Sequence, residues 1–239
     1  VRDGTSSQEQ KGQKTLFQEL LNGDLPSEEK SIKRLVDEGQ TMIAAGQQTT
    51  AHHLKTVTYH VLANPDIHKK LRAELESAIP NSSSIPPLAE LEKLSYLRAI
   101  ILEGHRFSHG VVSRLQRISP DLPLQYHEWT IPAGTPVSMT SVIQHADPIK
   151  FPNPEKFDPD RWIKASERLE KYLVNFSKGT RQCLGINLAN AEIYLTLATV
   201  FRRFRIELYE TTARDAEIAH DYFIPHGHGD SKGVRIVFK

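Results

Sequence analysis

Cysteine is almost absent from this chain: among 239 residues there is one, Cys183. A single thiol excludes an internal disulfide framework and a cysteine-built zinc site. Charge of either sign in excess is also missing. With 30 Lys and Arg against 29 Asp and Glu, the formal net charge is +1, so there is no polybasic footprint and nucleic acid is not expected as a partner. No run approaches the ~18 apolar residues of a membrane span, and no signal-like or transmembrane segment is present. Histidine is plentiful at 11 residues, yet none stands at a metal-binding spacing such as His-Glu-x-x-His. His52 and His53 point in different directions on a helix, and His226 and His228 fall in a loop, so a histidine metal site is not expected.

The lone cysteine sits in a distinctive stretch, Phe176-Ser177-Lys178-Gly179-Thr180-Arg181-Gln182-Cys183-Leu184-Gly185. Glycines lie four before it and two after it, an arginine lies two before it, and an apolar run of helical period follows. A flexible loop, a nearby cation and the positive end of a helix all stabilise a thiolate, which is the metal-binding form of the side chain. The pattern Phe-x-x-Gly-x-Arg-x-Cys-x-Gly arises by chance in roughly one chain of this length in ten thousand at ~5% usage per residue.

Residues 1–14 are polar, with Gly and Ser, and read as a linker or an interrupted loop. Residues 15–239 are long enough for one domain. A short helix over 15–22 stops at Asn22-Gly23, and Ser27 reads as the N-cap of a long helix ending at Asn64-Pro65, with Glu28 and Glu29 in its first turn. Inside that helix Ala45-Gly46-Gln47-Gln48-Thr49-Thr50 sets small and polar residues in an apolar frame; a helix crossing or a close approach of another group would explain the glycine. Further helices are expected over 65–79 and 88–107. Strands are expected over 111–118, 124–131 and 137–143, with Pro132-Ala133-Gly134-Thr135 as the turn between the last two. A helix opening at Cys183 runs to about Phe204, and strands cover 205–208 and 234–238, with a loop at Tyr222-Phe223-Ile224-Pro225. Glu103-Gly104-His105-Arg106 places a carboxylate and a guanidinium three apart on one helix face. Taken singly, that spacing is most often a surface ion pair.

Together these stretches resemble the cytochrome P450 (haem-thiolate monooxygenase) family, in its fungal and other eukaryotic microsomal members. The cysteine loop, the Ala45-Gly46 to Thr49 stretch, Glu103-x-x-Arg106 and Phe157-Asp158-Pro159-Asp160-Arg161 occur in the family's order, with Asp160 where Glu is usual. The resemblance covers about 15–239 and implies the C-terminal half of that fold: mainly α with small β-sheets, a long oxygen-side helix, a Glu-x-x-Arg helix and a cysteine loop followed by a helix. It implies haem b (heme, iron protoporphyrin) with Cys183 as axial thiolate. Phe176, Gly179, Arg181 and Gly185 of the loop, Ala45 and Gly46 of the long helix, and Arg117 would contact the haem. A side chain at Gly185 would meet the porphyrin, and Arg117 would pair with a propionate; the alternative for Arg117 is an edge-strand charge.

By the same resemblance Thr49 would assist dioxygen, with Gln48 where an Asp or Glu is usual. A carboxyl passes protons on, whereas an amide only positions water. Glu103, Arg106 and Arg161 would form a buried triad behind the loop. Val111, Val112 and Phe223 would face a small hydrophobic organic substrate. The implied activity is dioxygen-dependent monooxygenation, with electrons from NADPH through a reductase or other carrier. Lys178, Arg202 and Arg203 would meet that partner or form a solvated face. The full-length protein would sit at the endoplasmic reticulum membrane and serve fungal secondary metabolism. Two other readings stand: a non-catalytic fragment binding haem weakly or not at all, and a haem-thiolate isomerase or dehydratase working without a reductase.

Overall fold

Helix capping sets the first elements. In a computed structural model describing residues 15–239, Thr15 Oγ1 accepts from Gln18 N at 3.2 Å while Gln18 Oε1 accepts from Thr15 N at 2.7 Å. This reciprocal box opens α1 (Leu16–Asn22). Ser27 does not cap the long helix. It starts a 3-10 turn, Ser27–Lys30, and Ser31 Oγ then accepts from Arg34 N at 3.3 Å at the head of α2 (Ile32–Leu62). The two glutamates therefore lie in the turn, and α2 begins one turn later than the sequence suggests.

The chain divides into two compact units between Gly46 and Gln47. In the first, the Phe17 ring of α1 lies against Gly39 of α2, where an added Cβ would come 3.0 Å from Phe17 Cζ. Ile32, Val36, Met42 and Ile43 are exposed.

The second unit holds the core. Its part of α2 buries His52, His53, Thr56, Val57 and Val61. Around these pack α3 (Pro65–Ala78), opened by a proline at its first position, the short α4 (Leu88–Leu91), α5 (Ser95–Ser108) and α8 (Ile186–Arg203). Leu71, Leu75, Leu91, Leu97, Ile100, Ile193, Leu197 and Phe201 fill the space between them. Each such side chain contributes ~1.5–3 kcal/mol of burial. The expected helix over 88–107 breaks between α4 and α5. There Glu74 of α3 accepts from Tyr96 N and Leu97 N, both at 2.8 Å, and so satisfies the orphan amides of a new helix start.

Between α5 and α8 lie β1 (Leu124–Tyr126), β2 (Trp129–Ile131), α6 (Ser141–His145) and α7 (Asp160–Lys164). The expected strand over 124–131 is a hairpin, Tyr126 pairing Trp129 across a turn with His127 at φ +50°. Residues 111–118 form no strand. Thr140 Oγ1 and Ser141 Oγ donate to the carbonyls of Val112 and Val111, both at 2.9 Å, and only the Arg117–Val137 bridge remains. The third expected strand, 137–143, keeps that bridge and then turns into α6, which Thr140 caps.

After α8 come β3 (Ile206–Leu208), α9 (Ala213–Ala216), β4 (His220–Tyr222), β5 (Ile224–His226) and β6 (Ile236–Phe238). β3 pairs with β6, and β4 with β5, antiparallel in both cases. The loop expected at 222–225 is thus a hairpin with Phe223 at its tip, φ +74°. The result is mainly helical with small two-stranded sheets.

Candidate functional site

The cysteine loop closes on itself. Cys183 N donates to Phe176 O at 2.9 Å, Gln182 N to Gly179 O at 3.0 Å and Ser177 N to Val174 O at 2.8 Å. Two positive φ angles, Ser177 at +60° and Gly179 at +78°, turn the chain. Because the Cys183 amide is bonded to Phe176, the cysteine is not part of the helix. After a 3-10 turn at Gly179–Arg181, α8 starts at Ile186 with Gly185 in the capping position. That is three residues later than the sequence reading placed it, and the amides of the first turn of α8 follow the sulfur directly.

Cys183 is exposed, and a Cβ added at Gly185 would come 4.0 Å from its Sγ. Arg181 is exposed in the 3-10 turn. Arg117, also exposed, lies with Nη2 3.5 Å from Ser177 Oγ, so it stands beside the loop. Phe176 is half-buried, its ring edge-on to His105 with centroids 5.1 Å apart.

Behind the loop, Glu103 is fully buried and Arg106 is 2% exposed. Glu103 Oε1 accepts from Arg106 Nη2 at 2.7 Å, Arg161 Nε at 3.1 Å and Asp158 N at 2.8 Å. Its Oε2 accepts from Arg106 Nε at 3.0 Å and Trp162 Nε1 at 2.8 Å. This is no surface pair: one carboxylate holds two guanidinium groups in the interior. Arg106 also donates to the carbonyls of His145, Pro154 and Lys156 at 3.0, 2.7 and 3.1 Å. Arg161 donates to those of Pro152, Asn153 and Lys156. The pair thereby fixes the irregular segment between α6 and α7. Asp160 lies outside this set and pairs with Lys70 and Lys164.

Val112 N donates to Phe223 O at 3.1 Å, which brings two of the substrate-facing candidates together. Val112 also lines an open cavity of about 330 Å³ with Arg114, Thr140, Val142 and Ile218. Val111 is half-buried and Phe223 exposed. Gln48 and Thr49 open the second unit, while Ala45 and Gly46 end the first. Gln48 is exposed and Thr49 half-buried. A Cβ at Gly46 would meet no atom within 4 Å, so no helix crossing among the described residues accounts for that glycine.

Two of the cations expected at a partner surface are engaged within the protein. Arg202 donates to Ile79 O and Pro80 O at 2.7 and 2.9 Å, and Arg203 to Ser82 O and Ser83 O at 2.7 and 2.9 Å. They tie α8 to the loop after α3, with Arg202 half-buried and Arg203 still exposed. Lys178 is exposed.

Sequence spacing tests the histidines only as metal ligands and does not show what they do. His53 and His105 lie with ring centroids 4.5 Å apart, and His53 Nδ1 is 3.3 Å from Ser108 Oγ. His105 Nε2 is 3.2 Å from Asn190 Oδ1, and His109 Nδ1 is 3.4 Å from His145 Nδ1. His145 Nε2 accepts from Val174 N at 3.0 Å. Burial pushes His105 down to about 4, and burial with the neighbouring His109 and Arg106 pushes His145 down to about 3. Burial first, then His105, holds His53 well below the usual imidazole range. These rings are neutral at pH 7, and they join α2 and α5 to the cysteine loop and α8.

Sequence comparison decides the family, since the Cytochrome P450 family model matches residues 2–226. The chain belongs to the cytochrome P450 family. It is 46% identical over 230 residues to a cytochrome P450 monooxygenase of Ascocoryne sarcoides, covering 95% of this chain and 45% of the relative. It is 49% identical over 226 residues to an N-acetyltryptophan 6-hydroxylase of Emericella nidulans, covering 92% and 44%, and 48% identical over 224 residues to a tryptophan 6-hydroxylase of Fusarium equiseti, covering 92% and 44%. The chain thus spans about half the length of the curated relatives it matches. Its mainly helical architecture with small antiparallel sheets is the C-terminal portion of the cytochrome P450 fold. The family implies haem iron with a thiolate ligand.

Proposed function

We propose that this chain supplies the thiolate side of a haem site in a fungal cytochrome P450 monooxygenase, with Cys183 as the axial ligand. The observation that carries this reading is the exposed Cys183 sulfur, held on a loop closed by its own N–H and followed at once by the first turn of α8. The residues fit a haem. The sulfur stands on an open face, the Gly185 position faces it with no side chain, and among the described residues no atom lies within 4 Å of where a Cβ at Gly179 would be.

A bound haem supplies dioxygen activation; the chain's own groups supply position and protons. The amides of Gly185 and Ile186 stabilise negative charge on sulfur. Arg181 and Arg117, both exposed beside the loop, hold carboxylate groups of the macrocycle by charge-assisted bonds. Phe176 seats the loop on His105. The Glu103, Arg106 and Arg161 set fixes the segment behind it and touches no reacting atom. Thr49 donates to and accepts from water on the oxygen side, and Gln48, which does not titrate, orients that water. Val111, Val112 and Phe223 contact a small hydrophobic organic substrate. Electrons come from NADPH through a reductase at the endoplasmic reticulum membrane, with Lys178 as the exposed cation of the loop.

The test is the carbon monoxide difference spectrum of the full-length reduced protein. The unsubstituted protein gives a thiolate-type Soret band and Cys183→Ser abolishes it. An unchanged band in the variant refutes Cys183 as the ligand, and no haem uptake by the unsubstituted protein refutes the reading as a whole.

A further inference from the structure

Among the described residues the Glu103, Arg106 and Arg161 set makes no hydrogen bond to the cysteine loop, and His145 stands between the two. His145 is fully buried, and its carbonyl accepts from Arg106 Nη1 at 3.0 Å. Its Nε2 accepts from Val174 N at 3.0 Å, so that nitrogen carries no proton and the neutral ring holds its proton on Nδ1. Nδ1 lies 3.4 Å from His109 Nδ1, with the ring planes 17° apart, and donates there; the His109 proton is therefore on Nε2. A doubly protonated His145 would have no acceptor for the loop, and burial, then His109 and Arg106, hold it neutral. The next two loop residues are gripped as well. Gly110 packs so closely on Asn175 that an added Cβ would come 2.4 Å from its carbonyl oxygen, and the Phe176 ring stands edge-on to His105. From there two hydrogen bonds run on to the cysteine: Ser177 N donates to Val174 O at 2.8 Å and Cys183 N to Phe176 O at 2.9 Å.

We propose that His145 is the positioning residue that seats the cysteine ligand: Arg106 fixes its main chain, its Nε2 fixes the loop at Val174, and the loop's two hydrogen bonds carry that position to Cys183. It rests on the haem-site reading above and gives the buried triad its route to the sulfur. Without the acceptor, the Val174 amide is left unpaired in a half-buried place, and the turn at Ser177, φ +60°, loses its fixed end. The sulfur then shifts against the first-turn amides of α8 that stabilise its charge. His145→Leu fills the space and offers no acceptor. His145→Gln places Oε1 as many bonds from Cα as Nε2 is in the imidazole, so it accepts from the same amide.

Three measurements on the full-length protein test this. In protein labelled with 15N-histidine, the His145 ring carries its proton on Nδ1 and the His109 ring on Nε2; a proton on His145 Nε2 overturns the proposal, and this measurement needs neither a variant nor haem. In His145→Leu, hydrogen exchange at the amides of Val174 and Cys183 quickens together by about tenfold, the factor that corresponds to roughly one lost hydrogen bond, and His145→Gln returns both towards the unsubstituted rate. In the haem-loaded, reduced carbon monoxide complex, the thiolate-type share of the Soret band falls several-fold in His145→Leu and recovers in His145→Gln. Exchange that quickens at Val174 but not at Cys183 overturns the route to the sulfur, as does an unchanged thiolate-type share in His145→Leu or an equal loss in both variants. Failure of the unsubstituted protein to take up haem refutes the haem-site reading alone, since the ring proton and the amide exchange are still measurable.

Discussion

Replacing Glu103 by glutamine changes no shape and removes one charge, and the geometry specifies the consequence. The carboxylate accepts five hydrogen bonds, three at Oε1 and two at Oε2. A glutamine has one acceptor oxygen, which best replaces Oε1. Its NH2 then meets Arg106 Nε–H and Trp162 Nε1–H, two donors facing two donors in the interior, and the pair of guanidinium groups loses its counter-charge. Stranding buried charge of this kind costs ~3–5 kcal/mol. That is a large part of the ~5–15 kcal/mol available to a domain. The assay is urea unfolding followed by circular dichroism, with Lys70→Ala as the surface control: Lys70 pairs with Asp160 while half exposed, so its loss costs under ~1 kcal/mol. The expected outcome is a midpoint shift for Glu103→Gln several times that of the control. Equal shifts would refute the account of the triad as a buried brace.

Gly104→Ala places a methyl 2.3 Å from Val57 Cγ2 and 2.7 Å from His53 Cε1; in a filled core this overpacking costs ~1–3 kcal/mol, read as a lowered urea midpoint. Acid sensitivity follows from the buried imidazoles. His105 is held down to about 4 and His145 to about 3 against an ordinary 6.5, so the unfolded chain binds more protons than the folded one between those values and 6.5. Stability is therefore full above pH 6.5 and falls as pH drops through this window, by ~1.4 kcal/mol per pH unit for each histidine. Melting temperature measured from pH 7.5 to 4.5 should decline from about pH 6.5, ahead of the carboxylates; a flat profile down to pH 5 would contradict this.

Sequence spacing revealed what is local and missed what is assembled. Glu103 and Arg106 were legible because three residues on a helix share a face, and Cys183 because its loop pattern is rare. The donors Asp158 N and Trp162 Nε1 were not legible, since they reach Glu103 from 55 and 59 residues away. His53 and His105 were discounted because the spacing rule asks about metals, while their meeting depends on how α2 crosses α5. The run at 111–118 reads as a strand by its residues, but side chains of Thr140 and Ser141 occupy carbonyls that a ladder would need. Arg202 and Arg203 read as free charge at a helix end because nothing in the sequence announces four loop carbonyls within their reach.

The exposed, solitary Cys183 has a practical meaning for anyone handling the protein. Air oxidation of a chain with one thiol stops at a covalent pair and builds no longer polymers. Within residues 1–239 a maleimide dye likewise reacts at one place, with no second thiol to confuse the count. In the haem site proposed above, ligation and alkylation would compete for the same atom, and the dye-to-protein ratio would report the fraction of molecules whose sulfur is bare.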